Sequence, residues 1–395
     1  METFGTSLKM LTDGKQLAIC HMGFRFDSYM GNCSHDCLYC YARGQNMRYK
    51  RWDSVKVADL DDVKKRFENV FTRGKNETVE QRAIANRYPI RMGTQIDCFQ
   101  EPEREHGISY KFIDEIMNKY NYPYVICTKN KMVAEDKYLE LYKDKGNVAF
   151  QFTLSTMDQK FLDVVESGAS TAIERVETMK KLSDLGYHVT VRISPIIPEY
   201  NTDVVELIET LAKNGVKHII CEVLRITSIL NKLFIEKLDF DVIEHYKKMG
   251  VKGGAGGYFR YPLLKKIKFQ KYIKELCDKN GMTFATCGDE DISFHTCEMC
   301  CGLDNEKKFQ GYPKSTYVKA YHLCEQNGSV GLDEFLDGDY CSDPKTMKKV
   351  WNEGYFEKVL KNLQFNDQTQ RYDWVNCNPT LAKQNTQVDE EHEWF

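Results

Sequence analysis

Cys33, Cys37 and Cys40 fall within eight residues of "NCSHDCLYCYAR", 32–43, with Tyr39 directly before the last of them. The C-x3-C-x2-C loop offers three thiolates and has no fourth cysteine beside it. Three cysteine sulfurs on one short loop suit three corners of a cubane [4Fe–4S] cluster, which leaves the fourth iron open to an external ligand. The amino and carboxylate groups of a methionine are able to chelate such an iron, and S-adenosylmethionine (SAM) carries both. A zinc knuckle completed by Cys20, His21 or His35 is the competing reading, although zinc hairpins favour paired C-x2-C units.

A second bunch of cysteines lies far along the chain. "CGDEDISFHTCEMCCG", 287–302, holds Cys287, Cys297, Cys300 and Cys301, with His295 between them. Adjacent Cys300 and Cys301 do not readily bind one ion together, and Cys324 or Cys341 would complete a four-thiolate set. The readings left open here are an auxiliary iron–sulfur cluster, a structural zinc site, and unligated thiols. Scattered cysteines such as Cys20, Cys127, Cys221 and Cys277 stand in apolar surroundings and are expected in the core.

The 395-residue chain carries 15 cysteines, a net charge of −3 and 42% hydrophobic residues. That balance is ordinary for a globular protein and does not advertise a nucleic-acid binder. No stretch of 18 apolar residues is present, and "METFGTSLKMLTDGK" lacks the basic-then-apolar pattern of a secretory signal. The expectation is a cytoplasmic protein with no membrane span, where thiols stay reduced and serve metals rather than disulfides.

The elements that must position these groups alternate in type. Apolar runs at 16–22, 90–96, 124–128, 148–154, 188–195 and 218–224 read as strands, and 108–120, 134–144, 171–185 and 202–214 have helical periodicity. Strands separated by helices predict an α/β fold with a parallel sheet, and reactive groups collect where such strands end. "VKGGAGGYFRYP", 251–262, is a Gly-rich break without the Lys and Ser/Thr of a P-loop, so a hinge is expected there. The lysine-rich helix at 263–276 reads as a solvated face, and "MTFATCGDED", 282–291, as one more strand ending at Cys287. The expected domains are residues 1–250, a barrel, and 251–395, an extension. Tyr317, Tyr321, Tyr340, Trp351 and Tyr355 in that extension are candidates for stacking a base, with core packing the commoner use of such residues.

The motif with an aromatic before its third cysteine resembles the radical SAM superfamily. "YMGNCSHDCLYCYAR", "GTQIDCFQ", "CTK", "FQFTLST" and "VESGASTAIERVETMKKLSDLGYHVTVRISPIIP" follow the order seen in proteins similar to spore photoproduct lyase, in the "DNA repair photolyase" branch. The resemblance covers about residues 16–225. It implies a partial (β/α)6 radical SAM barrel with a cysteine-containing C-terminal extension, a [4Fe–4S] cluster on Cys33, Cys37 and Cys40, and SAM. It implies reductive cleavage of SAM to a 5′-deoxyadenosyl radical that abstracts hydrogen from a substrate, with a flavodoxin- or ferredoxin-type reductant as partner.

The same resemblance assigns Tyr39 to the adenine, Lys129 to the methionine carboxylate, and Thr94 and Asp97 to the ammonium group. Thr153 and Ser155 fall on the expected hydroxyl strand, and Ser194 beside the adenine or ribose. Thr94 stands where the lyase has its hydrogen-donor cysteine; Cys98, four residues on, is the candidate for a related role, against an inert thiol. By analogy the substrate is a nucleic-acid base or nucleotide, for modification or repair. The alternatives are a peptide or small molecule with an auxiliary cluster (Cys287, Cys297, Cys300), and a zinc-stabilised binding module without catalysis.

Overall fold

The computed structural model describes residues 2–5, 7–11, 22–49, 52, 54–253, 257–287, 294–304, 306–310, 315–339, 344–352 and 362–375. Apolar runs of three to eight residues, β-branched and aromatic, form one sheet of eight strands: β1 Leu8–Met10, β2 Phe24–Phe26, β3 Ile90–Met92, β4 Tyr124–Thr128, β5 Val148–Thr153, β6 Val189–Ile196, β7 His218–Val223 and β8 Thr283–Thr286. They lie in the order β8-β7-β6-β5-β4-β3-β2-β1. Neighbours from β2 to β8 are parallel, and β1 pairs antiparallel with β2. The edge strands β1 and β8 do not pair with one another, so the barrel is partial.

Helices make the crossovers that parallel strands require. Four matter below: α1 Tyr41–Arg48, α2 Ala172–Asp184, α3 Val204–Lys213 and α4 Leu263–Lys279. Helix α2 starts on a capping box legible in the sequence as T-x-x-E. Glu174 N donates to Thr171 Oγ1 at 3.2 Å, and Thr171 N donates to Glu174 Oε2 at 2.8 Å. Helix α4 buries Phe269, Ile273, Leu276 and Cys277 and leaves its lysines outside, the solvated face the sequence predicts.

The structure departs from expectation in three places and agrees in a fourth. The strand leading to the cysteine loop is β2, 24–26, rather than 16–22; residues 16–21 lie outside the described ones and Met22 is not in a strand. The sheet draws its seventh parallel strand from β8, so it extends past the expected boundary at 250. The Gly-rich break continues into Tyr258–Arg260, which pairs antiparallel with Arg225–Thr227. The extension has its own small core, in which Tyr317 and Trp351 are 1% exposed and Tyr321 meets Trp374 edge-on at 5.1 Å. Those aromatics serve packing; Tyr340 and Tyr355 lie outside the described residues.

No described helix is long and apolar enough to cross a membrane. The segment after β8 folds back on it. Thr286 N donates to His295 Nε2 at 3.0 Å, and burial lowers the His295 pKa from its ordinary 6.5 to about 3. The unfolded chain therefore takes up a proton below pH 6.5 that the folded chain does not, and His295 costs stability as pH falls through that window. Between pH 7.5 and pH 5.5 the wild type is expected to lose about 1 kcal/mol more than His295→Gln, discounted for partial solvent access. Denaturant melts at the two pH values measure this, and equal losses would contradict it.

Candidate active site

The cysteine loop follows β2 and is held from two sides. Ser34 N donates to Gln100 Oε1 at 2.8 Å, and Glu101 N donates to Ser34 Oγ at 3.1 Å, tying it to the loop after β3. Leu38 N donates to Val165 O at 3.0 Å and Gly168 N to His35 O at 3.2 Å, tying it to the segment after β5. Cys40 caps α1, its sulfur accepting from Arg43 N at 3.4 Å. Gly168 is required by this packing, because a Cβ there would lie 1.8 Å from Ser34 O.

Two carboxylates brace the neighbouring strand ends. Asp27 accepts from the amides of Thr94 and Gln95 at 2.8 and 2.9 Å and from the Thr94 hydroxyl at 2.9 Å. Asp97 accepts from Phe99 N, Lys129 N and the Thr128 hydroxyl at 2.8–3.0 Å, and lies 3.4 Å from His35 Nδ1. Burial lowers the His35 pKa to about 4, so its contact with Asp97 is that of a neutral imidazole near pH 7. Gly93, with φ of +76°, turns the chain out of β3 where a Cβ would meet Cys127 O at 2.4 Å.

Between these strand ends and the cysteine loop lies a cavity of about 380 Å³. Cys33, Cys37, Cys40, Tyr39, Thr94, Asp97, Lys129, Thr153 and Ser194 all line it. Residues spread over more than 160 positions of sequence thus meet where the resemblance places a cofactor. Lys129 Nζ stands 5.7 Å from the Tyr39 ring centre. The hydroxyl of Thr94 and the carboxylate of Asp97 are engaged in bracing, so what they offer the cavity comes after that first task. Ser155 is buried and does not line it; its carbonyl accepts from the Asn201 amide. Cys98 is also absent from the wall: it is fully buried, taking Ser28 N at 3.4 Å, which suits the inert-thiol reading.

Beneath the loop lies a buried ion pair that sequence reasoning missed. Glu166 and Arg175, with side chains 0% and 1% exposed, meet at 2.5 Å. Arg175 also donates to Ser170 O and Thr153 O at 2.7 and 2.9 Å, and the Tyr39 hydroxyl donates to Glu166. Burial raises the Glu166 pKa and the Arg175 guanidinium opposes that rise. Glu166 and Arg175, two of the three charged residues inside "VESGASTAIER", were the available signal.

The barrel interior is more charged than its apolar strands predict. Arg91 Nε donates to Cys127 Sγ at 3.0 Å, so Cys127 is a cavity thiol rather than a core one. Arg192 bonds Glu222 at 2.9 Å and Cys287 Sγ at 3.0 Å. Single charges in "HVTVRIS" and "HIICEVL" mark the inward faces of β6 and β7. Among the described residues, Gln151 Nε2 and Arg192 Nε are buried without a hydrogen-bond partner.

The second cysteine group does not gather. Cys287 lines the cavity beside Arg192, whereas Cys297 Sγ donates to Met299 O at 3.1 Å and Cys300 is buried with its carbonyl 3.1 Å from His218 Nε2. Cys324 belongs to the core of the extension, and Cys341, like the Cys20 and His21 of the zinc reading, lies outside the described residues. Among the described residues no three His, Cys, Asp or Glu side chains converge on a single ion.

Cys33, Cys37 and Cys40, three thiols of one loop on one cavity wall, are the residues that would hold an iron–sulfur cluster. Burial, with Asp97 adding to it, pushes the Cys33 thiol up to about 12, and burial carries Cys37 well above its ordinary value. Buried sulfurs of this kind become thiolates when a metal supplies the positive charge. The model of the radical SAM superfamily matches residues 28–211, which contain the loop and strands β3 to β6. This segment is a radical SAM domain.

Solved structures agree on the fold. Spore photoproduct lyase complexed with dinucleoside spore photoproduct aligns with a TM-score of 0.53, covering 71% of this chain and 81% of that one at 16% identity. A mutant of the same lyase with bound AdoMet and dinucleoside spore photoproduct gives 0.52, covering 67% and 76% at 17% identity. Two uncharacterised proteins are similar in sequence. ORF301 of Acidianus two-tailed virus is 23% identical over 227 residues, 55% of this chain and 72% of its own length. MJ0683 of Methanocaldococcus jannaschii is 24% identical over 177 residues, 44% and 60% respectively.

Two substitutions test how the domain holds its loop. Glu166→Gln leaves Arg175 buried without its counter-charge and should cost about 3–5 kcal/mol in denaturant melts. Gly168→Ala should displace Ser34 and cut the iron retained after anaerobic reconstitution to under half of wild type, while the melt shifts less. Wild-type iron content in Gly168→Ala would show that the close approach does not position the loop.

Proposed function

We propose that this chain carries a single [4Fe–4S] cluster on Cys33, Cys37 and Cys40, binds SAM in the adjoining cavity, and acts on a nucleic-acid base or nucleotide. The observation that carries the reading is the cavity itself, where three cysteines of one loop share a wall with Tyr39, Lys129, Thr153 and Ser194. Cluster and SAM together supply reductive cleavage to a 5′-deoxyadenosyl radical for hydrogen abstraction. An electron donor of flavodoxin or ferredoxin type is the partner this requires.

The chain's own residues orient the reactants. Lys129 offers an ammonium to a carboxylate, and the Tyr39 ring, fixed through its hydroxyl by Glu166, offers a flat face to a purine. Ser194 Oγ, 3.4 Å from Glu222, is placed for a ribose hydroxyl. The donors of Gln151 and Arg192 that have no partner among the described residues ask for an acceptor-rich ligand on this wall. Carbonyl-bearing bases and phosphates meet that demand, which favours a nucleotide over an apolar peptide segment. Cys287 stands in the cavity apart from Cys297 and Cys300, which supports one cluster per chain rather than two.

Anaerobically reconstituted protein is expected to be brown, with about four irons per chain, and to cleave SAM under dithionite; the Cys33/Cys37/Cys40→Ala variant should lose both iron and cleavage. About eight irons falling to four would restore the auxiliary cluster and the peptide alternative, and colourless, zinc-loaded protein would restore the binding module. The substrate class is read separately, by incubating the holoenzyme with a deuterated oligonucleotide pool. Deuterium in the 5′-deoxyadenosine formed supports a nucleic-acid substrate, and its absence beside active cleavage of SAM counts against one.

A further inference from the structure

A second cavity, about 580 Å³, opens beside the first and shares Gln95 and Ile96 with it. Its walls hold Lys9 of β1 and Arg25 of β2, which stand directly opposite each other in the antiparallel pair. Side chains so placed have Cβ atoms about 4.5–5.5 Å apart, and like charges there destabilise the sheet. The next strand repeats the sign, because Arg91 is the register partner of Arg25 in β3.

No described carboxylate pairs with Lys9 or Arg25. Two carboxylates do reach the same cavity, and both are engaged elsewhere. Glu2 Oε1 accepts from Lys56 Nζ at 2.6 Å. Asp27 is turned into the amides of Thr94 and Gln95 at 2.8 and 2.9 Å. Lys9 is exposed and Arg25 half-buried, so water solvates the pair when the cavity is empty, and an anion entering it meets two cations with no described carboxylate committed to them.

We infer that this second cavity is a phosphate-binding site whose cationic wall is Lys9 and Arg25. A carboxylate would offset one of the two charges, whereas a phosphate monoester carries about −1.5 to −2 at pH 7 and offsets the pair. Arg25 supplies a planar fork for two phosphate oxygens and Lys9 a point charge for the third. The common wall with the SAM cavity means that a phosphate held here leaves the rest of its molecule within reach of the radical site. A terminal phosphate of a nucleotide supplies both the charge and the third free oxygen, whereas an internal phosphate of a strand carries −1 and two non-bridging oxygens; the terminal phosphate is the better match, and the strand phosphate is the other source the test distinguishes.

The inference concerns binding alone and is tested without turnover, so it stands or fails apart from the proposed reaction. Isothermal titration of the reconstituted holoenzyme, at constant ionic strength, would use three probes: inorganic phosphate, thymidine monophosphate, and the dinucleotide TpT, which has an internal phosphate only. Wild type is compared with Lys9→Ala, Lys9→Glu and Arg25→Ala, each checked by its melting temperature in phosphate-free buffer. Each Ala variant should bind about 10- to 100-fold more weakly, the worth of one charge-assisted hydrogen bond, and Lys9→Glu should bind none of the probes. Loss confined to inorganic phosphate and the monophosphate assigns a terminal phosphate, and equal loss for TpT assigns a strand phosphate. Lys9→Ala should also melt no lower than wild type, because it removes the like-charge opposition. Affinity unchanged in folded Lys9→Glu and Arg25→Ala, or no binding of any probe by wild type, would overturn the inference.

Discussion

A guanidinium sealed beneath the cysteine loop is the constraint on which the site depends. Arg175 leaves α2 to reach Glu166, Ser170 O and Thr153 O together, so one side chain spans the end of β5, the segment behind the loop and the start of its own helix. Burying such a pair contributes little net stability, since desolvation of both ions offsets most of their attraction. Its effect is geometric. Moving any of the three segments would strand a charge in an apolar interior, and that penalty fixes where Gly168 meets the loop and where the Tyr39 hydroxyl finds Glu166.

The same logic recurs at smaller scale. Asp27 and Asp97 each collect donors from the ends of successive strands, and so convert three flexible turns into one rigid rim. A rim of this kind matters more to radical chemistry than to most reactions, because the reactive species must meet its substrate before it meets anything else. The interior charges are arranged differently. Arg192 and Glu222 neutralise one another in part, the Cys287 sulfur accepts from the same guanidinium, and Arg192 Nε is left without a partner among the described residues.

The extension shows how composition misleads where packing decides. Its aromatics include candidates for a stacking platform, and the commoner use, core packing, is what the structure shows: Trp351 and Tyr372 meet edge-on at 4.8 Å inside their own small core. The run of cysteines at 287–301 reads first as a metal or cluster site, yet Cys287 meets Arg192 in the barrel and Cys297 meets the backbone.

Local rules were sufficient wherever neighbours in sequence are neighbours in space. The three-cysteine loop, the capping box at Thr171, the helix over 171–185 and the strands β4 to β7 are short-range patterns, set by side-chain period and by hydrogen bonds a few residues long. Tertiary structure decided the rest, because it depends on which distant groups are brought together. Cys98 is near the site in sequence and shut out of it in space, whereas Cys127 and Cys287 are remote in sequence and line the cavity. Spacing along the chain records where a side chain is attached, and only the pairing of strands settles which face it shares and whose charge it meets.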